Sequence, residues 1–457
     1  MSAVDFFGKT VERNFRRRPR FTRGFLRIGY AAQQRLLRRR RGDRRLPSQA
    51  FLEQATMRAM RRALADPSRC ALVNMFAPAE LLHAMGLRPL CAEGFSSFLS
   101  GGKCERGYLD FASEKGVPET YCSYHRALLG AVHSGLLQKP RFIITSSSVC
   151  DANTSTFREA ASHYGMEKFY IDVPHEESEE AVAYVRTQLE RLVAFLEEGM
   201  GRRMDQDALR LAALRTNESV RYQRKFIDEL ARREFPNYIS AEMHRIIVGH
   251  NLLGTEDALK FFRMQYEDIM EFPVQGGGTG LNVDGGIRDG LHVDGGGDDS
   301  GFNQRFPDSD PRAKRIIWCH VLPYYAVPLK KLFDFSDRYR LLISDLNFDQ
   351  LTELDESDIL GSMARRLIRN HFNGSALRRA ESVTDMAKRL EADAAIIFCQ
   401  WGCKHSNGGA FLLRDALVAA GVNTLVIDGD AVDRRGTNDG QLATRMQAFL
   451  EMLDGGR

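Results

Sequence analysis

Three cysteines in this 457-residue chain stand where a thiolate could hold a metal or serve a bound group. The clearest is Cys403, within Ala394–Gly409, AAIIFCQWGCKHSNGG. Ala394–Phe398 is a continuous apolar run of the kind a buried parallel strand uses. A polar loop carrying Cys399 and Cys403 follows, and FLLRDALVAAG then reads as a helix ended by Gly421. Strand, loop and helix put Cys403 at the carboxyl end of a sheet strand, where open α/β sheets bind ligands. The positive end of a helix at that point favours thiolate over thiol. The pattern recurs earlier. Arg141–Val149 reads as a strand and polar turn, and Cys150-Asp151 opens onto the helical TFREAASHYG. Tyr121-Cys122-Ser123 precedes HRALLGAVHSGLL, whose apolar spacing is also helical. One cysteine in such a place is most often a small buried hydrophobe. Cys122, Cys150 and Cys403 share one context, which points to a common ligand.

Six tags, three of them carrying these cysteines, resemble the 2-hydroxyacyl-CoA dehydratase family, which also contains the benzoyl-CoA reductase subunits. The tags are Phe76-Ala77-Pro78-Ala79-Glu80-Leu81-Leu82 with Ala84 and Gly86; Tyr121-Cys122; Ser147-Ser148-Val149-Cys150-Asp151; Trp401-Gly402-Cys403; Asp428-Gly429-Asp430; and Gly440-Gln441 with Thr444-Arg445. They span most of Ala71–Leu453 in family order. The resemblance implies that Cys122, Cys150 and Cys403 hold a [4Fe–4S] cluster with one iron lacking a protein thiolate. It also makes Glu80 a candidate to contact the substrate's hydroxyl or carbonyl; read from its position alone, Glu80 is a helix-dipole carboxylate. The implied reaction is loss of water from a 2-hydroxyacyl-CoA to give the enoyl-CoA, a hydro-lyase activity. Aromatic-ring reduction of the benzoyl-CoA reductase type is the alternative within the family. The implied partners are a second, related subunit in a heterodimer and an ATP-hydrolysing iron–sulfur activator. The Trp-Gly-Cys form of the third cysteine motif and the long N-terminal arm resemble the larger, substrate-binding subunit.

Such a cluster answers a chemical difficulty. The β-hydrogen of a 2-hydroxyacyl-CoA is not acidic, and a positioned acid or base contributes only about 10²–10⁴-fold. One electron added to the thioester carbonyl gives a ketyl radical that can expel hydroxide. The β-hydrogen of the enoxy radical that remains is far more acidic, and the electron is returned after its loss. In the implied chemistry a low-potential cluster is the electron source, and its open iron a Lewis acid.

The elements that must position these groups follow from patterning. With 43% hydrophobic residues the chain can bury two or three cores. Its strand-like runs are Cys70–Phe76, Leu87–Cys91, Arg141–Val149, Phe169–Val173, Lys314–His320, Arg340–Ser344, Ala394–Phe398 and Asn423–Ile427. Alternation with helical patterns predicts an α/β fold of two doubly wound, Rossmann-like parallel sheets, with the cysteines in the cleft between them. The expected division is a basic helical arm over 1–65, a first α/β domain over 66–175, a helical bridge over 176–274, a Gly/Asp-rich loop over 275–311 and a second α/β domain over 312–457. The loop holds eleven of the 39 glycines and no periodic apolar pattern. A calcium nonapeptide reading of Gly277–Gly280 is disfavoured, because Asn282 stands where Asp is wanted and no second copy follows.

In Met1–Leu46 fourteen Arg and one Lys stand against Asp5, Glu12 and Asp43, a formal +12 in a chain of +4, which leaves −8 elsewhere. Phe21, Phe25, Leu26, Ile28 and Leu36-Leu37 interleave with the arginines, so a docked amphipathic helix is preferred to a nucleic-acid arm. Eight cysteines without a disulfide-scaffold spacing, no signal peptide and no long apolar span predict a soluble protein of a reducing, cytoplasmic compartment, with no membrane partner. The rival metal reading is a structural zinc on Cys122, His125, Cys399 and Cys403. The non-enzyme reading, an arginine-armed adaptor binding zinc, a nucleotide or nucleic acid, lacks both GxGxxG after a strand and GxxxxGK[ST]. Cys70, Cys91, Cys104 and Cys319 are taken as structural thiols.

Overall fold

The computed structural model describes residues 2–39, 44–274 and 312–455; the Gly/Asp-rich stretch 275–311 lies outside them. Two helices, α1 (Ala3–Asn14) and α2 (Pro19–Arg39), precede α3 (Pro47–Ala65). Strands β1 (Cys70–Val73), β2 (Arg88–Cys91), β3 (Phe142–Ser146) and β4 (Phe169–Ile171) form one parallel sheet in the order β2-β1-β3-β4. Between them run α4 (Ala79–Ala84), α5 (Ala92–Gly101), α6 (Glu105–Glu114), α7 (Ser123–His133) and α8 (Asp151–Tyr164). Helices α9 (Glu179–Met200), α10 (Gln206–Leu230), α11 (Ile239–Asn251) and α12 (Glu256–Met270) follow.

The second sheet repeats the first. Strands β5 (Lys314–Cys319), β6 (Tyr339–Ser344), β7 (Ala394–Gln400) and β8 (Asn423–Gly429) are parallel in the order β6-β5-β7-β8. Its helices are α13 (Val327–Phe333), α14 (Ile359–Arg369), α15 (Ala376–Arg389), α16 (Lys404–Gly408), α17 (Ala410–Ala419) and α18 (Asp439–Gly455). In each sheet the chain leaves the first strand toward one edge and returns to the other side of it. This reversal opens a crevice between first and third strands at their carboxyl ends.

Each of the eight expected runs contains a strand, with shifted ends. β1 stops at Val73 because Asn74–Phe76 leave the sheet for the crevice, and β8 runs on through Asp428 and Gly429. The central strands are buried along nearly their whole length because both faces of each sheet are covered. In the second sheet Ile316, Trp318, Ile396 and Phe398 pack into one core, whereas Ile317, Cys319, Ala395, Ile397 and Cys399 pack into another on the opposite face. A third core lies among α3, α11 and α12, around Leu52, Val248 and Phe261.

The N-terminal helices pack through a few residues. Val11, Phe15, Leu26, Tyr30 and Leu37 are buried, and the Phe15 ring lies 4.7 Å from that of Tyr108 on α6. Arg23 donates to the carbonyls of Leu136 (2.8 Å) and Gly135 (2.7 Å), capping the end of α7. Among the described residues no helix is long and apolar enough to cross a membrane.

Candidate functional site

Cys122, Cys150 and Cys403 are each the residue that caps a helix N-terminus: α7, α8 and α16 respectively. Cys150 follows β3 and Cys403 follows β7, so both lie at the crevice ends of equivalent strands. The chain enters each cysteine through a left-handed residue, Val149 at φ 76° and Gly402 at φ 74°. The three thiols are close enough to act on one another's ionisation. Burial pushes the Cys122 thiol far up, and Cys403, Cys150 and Asp430 push it further. Burial, then Cys403, does the same to Cys150. The expected thiolate preference at helix N-termini is therefore not met at Cys122 or Cys150: desolvation of the charged form outweighs the helix dipole. At Cys403 the following helix is only five residues long, a further departure from the single helix expected there.

Backbone contact brings Cys403 to Cys122. A Cβ placed on Gly402 would fall 2.6 Å from the Cys122 nitrogen and 2.7 Å from the Tyr121 carbonyl carbon. Glycine is required there twice over, by the left-handed φ and by this approach. Side chains then lock the contact. Ser123 Oγ donates to Asp430 Oδ1 (2.6 Å) and accepts from Gln400 Nε2 (3.1 Å). Gln400 Oε1 accepts from the Ala431 amide (2.8 Å), and Asp430 Oδ1 also takes the amides of Val432 (2.8 Å) and Asp433 (2.7 Å). Burial nonetheless holds the Asp430 carboxyl above its ordinary value, against these hydrogen bonds. Trp401, half-exposed, donates from Nε1 to Asp428 Oδ2 (3.3 Å), and Arg445 reaches Asp428 Oδ1 (3.1 Å). Three of the sequence tags meet at that carboxylate. At the rim, Lys404 Nζ stands 3.9 Å from Asp151 Oδ2, both exposed.

The group near Cys150 holds unmet hydrogen-bonding capacity. His125 Nε2 lies 3.6 Å from Cys150 Sγ, its Nδ1 is buried without a partner among the described residues, and burial lowers its pKa to about 4. Ser148 Oγ and both amide atoms of Asn153 are likewise buried and unpartnered among the described residues. Buried polar atoms of this kind are normally satisfied, so a group recruited by Cys150 would find ready hydrogen-bonding atoms.

Cys399 does not join the set. The alternation along β7 turns it to the opposite face from Gln400, where it packs in the second core with its thiol 3.9 Å from the Ser406 carbonyl. The zinc set of Cys122, His125, Cys399 and Cys403 is thereby broken. Among the described residues no group of three or more His, Cys, Asp or Glu is arranged to hold a metal ion. Cys122, Cys150 and Cys403 lie near enough to influence one another's ionisation, and three thiols are a soft donor type, but they are not brought into a ligating arrangement.

Glu80 stands apart from the cysteines. It is 1% exposed, and Arg366 of α14 meets both its oxygens, Oε1 at 2.8 Å and Oε2 at 2.9 Å. Thr216 donates to Oε1 (3.1 Å). Burial alone would raise its pKa, but the Arg366 guanidinium overrides that and holds the carboxyl below its ordinary value. Ser123 and Gln400 were not singled out from sequence. The available signals were their places, one directly after Cys122 and the other at the end of β7.

Residues 74–453 match the family model described as 2-hydroxyglutaryl-CoA dehydratase, D-component. The chain is 19% identical over 391 residues to the (R)-phenyllactyl-CoA dehydratase alpha subunit of Clostridium sporogenes, covering 82% of this chain and 87% of that one. It is 22% identical over 412 residues to the lactoyl-CoA dehydratase subunit alpha of Anaerotignum propionicum, covering 83% and 89%. A shorter match, 26% over 101 residues and 21% of each chain, is to the (R)-2-hydroxyglutaryl-CoA dehydratase subunit alpha of Acidaminococcus fermentans.

Proposed function

The chain belongs to the 2-hydroxyglutaryl-CoA dehydratase D-component family, and from that premise we propose that it is the cluster-bearing subunit of a radical 2-hydroxyacyl-CoA dehydratase. What supports this reading is the neighbourhood of Cys122, Cys150 and Cys403, from three separate loops: Gly402 presses on the Cys122 backbone, His125 lies 3.6 Å from Cys150, and Cys403 pushes up the pKa of both other thiols. A [4Fe–4S] cluster held by them would supply one low-potential electron and an open iron as Lewis acid. The surrounding residues have their own tasks in this reading. Gly402 and the Ser123–Gln400–Asp430 network keep Cys122 and Cys403 in register. His125, neutral and beside Cys150, offers a ring nitrogen as hydrogen-bond partner to a bound sulfide or substrate oxygen. The crevice ends of β3 and β7 receive the acyl-CoA, with the amides at the start of α7 and α8 facing developing negative charge.

Glu80 is assigned a positioning role through Arg366, joining the loop after β1 to α14 of the second sheet. The basic helical segment 1–65, the α/β units 66–175 and 312–457, and the helices of 176–274 between them are the working division. A second, related subunit and an ATP-dependent activator complete the system, as does a cytoplasmic setting. The alpha-subunit names of the relatives support an alpha-type subunit, and the larger, substrate-binding role is carried by the Trp401-Gly402-Cys403 motif and the N-terminal arm.

The test is metal content. Purified without oxygen, the chain should carry about four irons, as one cubane requires. Cys122→Ala, Cys150→Ala and Cys403→Ala should each abolish loading, whereas Cys70→Ala and Cys319→Ala leave it unchanged. Stoichiometric zinc without iron, or loss of iron in Cys399→Ala but not Cys403→Ala, would sink the assignment.

A further inference from the structure

Helix α2 carries the same two-residue step three times: Arg20-Phe21, Arg27-Ile28 and Arg35-Leu36. The steps are seven and eight residues apart, close to two helical turns each. The three arginines therefore form one row and the three apolar side chains an adjoining row, about 22 Å long at 1.5 Å per residue. The apolar row faces away from the body of the fold: Phe21 is 49% exposed, Ile28 68% and Leu36 57%, whereas Leu26, Tyr30 and Leu37 are buried. Phe21 stacks on Phe25 with ring centroids 5.9 Å apart, and Phe25 on Phe7 at 5.2 Å, which holds the outermost ring in place. The arginine row is exposed as well. Arg20, Arg27 and Arg35 make no side-chain hydrogen bond or ion pair among the described residues, and nor do Arg17 and Arg18 just ahead of the helix. Arg16 and Arg23 differ, one pairing with Glu114 and the other donating to the end of α7. The 21 residues of α2 include no Asp or Glu.

Single exposed apolar residues are ordinary, but a row of three beside a row of unpaired cations is not. A face of one charge sign along its whole length suits an occupant that is anionic along its whole length. Nucleic acid is such an occupant, yet a phosphate backbone offers nothing to Phe21, Ile28 and Leu36. An anionic bilayer answers both rows, with headgroup phosphates for the arginines and the acyl boundary for the apolar side chains. That is how a basic amphipathic helix lies in the plane of a membrane interface. From these observations we infer that the outer face of α2 is a docking surface for an anionic phospholipid bilayer. The expectation of no membrane partner came from the lack of a long apolar span, and a helix lying in the interface needs none. The face lies ahead of residues 74–453, which match the family, so it stands or falls separately from the dehydratase reading.

Co-sedimentation of the full chain with vesicles at physiological salt tests the inference. Vesicles of phosphatidylglycerol and phosphatidylcholine in equal parts should bind the chain saturably, and vesicles of phosphatidylcholine alone at least about tenfold more weakly. One arginine near an anionic leaflet is worth about fivefold in affinity. Arg20→Gln, Arg27→Gln and Arg35→Gln together should therefore weaken binding to the mixed vesicles about a hundredfold. Ile28→Gln with Leu36→Gln leaves every charge in place and removes two thirds of the apolar row, and should weaken binding at least about tenfold. All five positions are exposed, so both variants should unfold at the wild-type temperature. Absence of binding to the mixed vesicles, equal binding to the two vesicle types, or binding indifferent to the Ile28 and Leu36 changes would each overturn it. Tighter binding to a generic DNA duplex than to the mixed vesicles, lost in the arginine variant, would overturn it too and assign the face to nucleic acid.

Discussion

The two sheets share one strand order, and each places a cysteine one step past a left-handed residue after its third strand. What holds that residue differs. Gly402 is pressed against the backbone of Tyr121 and Cys122, and no side chain could be accommodated. Val149 is a β-branched residue at φ 76°, a conformation that costs roughly 1–3 kcal/mol and persists only where surroundings enforce it. Its side chain packs against the core of the first sheet. The same geometric task is met by close approach in one half and by strained packing in the other. A strand end can therefore be equivalent in position while its tolerance to substitution is opposite.

The largest effect expected is at the ion pair that ties the halves together. Glu80→Gln leaves the Arg366 guanidinium, 6% exposed, without its carboxylate, and should destabilise the fold by about 3–5 kcal/mol in chemical denaturation. Its folded pKa lies below the unfolded value of about 4.3. The pair's stability is therefore present above that value and lost as pH falls through the lower, folded one. Glu80→Gln should accordingly flatten the acid limb of the stability profile. A variant of wild-type stability that has lost turnover would instead restore Glu80 as a substrate contact.

Gly402→Ala comes next. The added methyl meets backbone rather than a yielding side chain, at a left-handed φ, so a loss of about 2–4 kcal/mol is expected, with iron content reduced. Undiminished iron and stability would mean that the loop can shift without parting Cys403 from Cys122, and the contrast with Val149 would collapse.

Val149→Gly should have the smallest effect. Relief of strain offsets lost packing and a more flexible unfolded chain, leaving a net change within about 1 kcal/mol of zero by thermal unfolding. Val149→Ala keeps the strain and loses packing, so it should be the less stable of the two. The reverse order would show that packing alone holds the turn.

Much of this was legible because buried parallel strands write themselves as unbroken apolar runs. Phe142-Ile143-Ile144 and Ala394–Phe398 could be placed from sequence for that reason. The cysteines could be grouped because each preceded a helical pattern. The Glu80 pairing was not legible: Arg366 lies 286 residues away, and nothing local marks a carboxylate for burial. The left-handed turn at Val149 was hidden as well, since valine signals extended backbone. Cys399 and Cys403 were separable only by the alternation of β7, which carries Cys399 to the far core just before the strand ends.

The wide separation of the three cysteines in sequence has a consequence for how the protein is made. Cys150 and Cys403 are 253 residues apart. At synthesis rates of about 5–20 residues per second, roughly 13–50 seconds pass between their appearances. During that interval a nascent first sheet carries Cys122 and Cys150 with no Gly402 loop against them. Two thiols then stand uncovered to oxidants and stray metals, and the trio forms only when the last third of the chain docks.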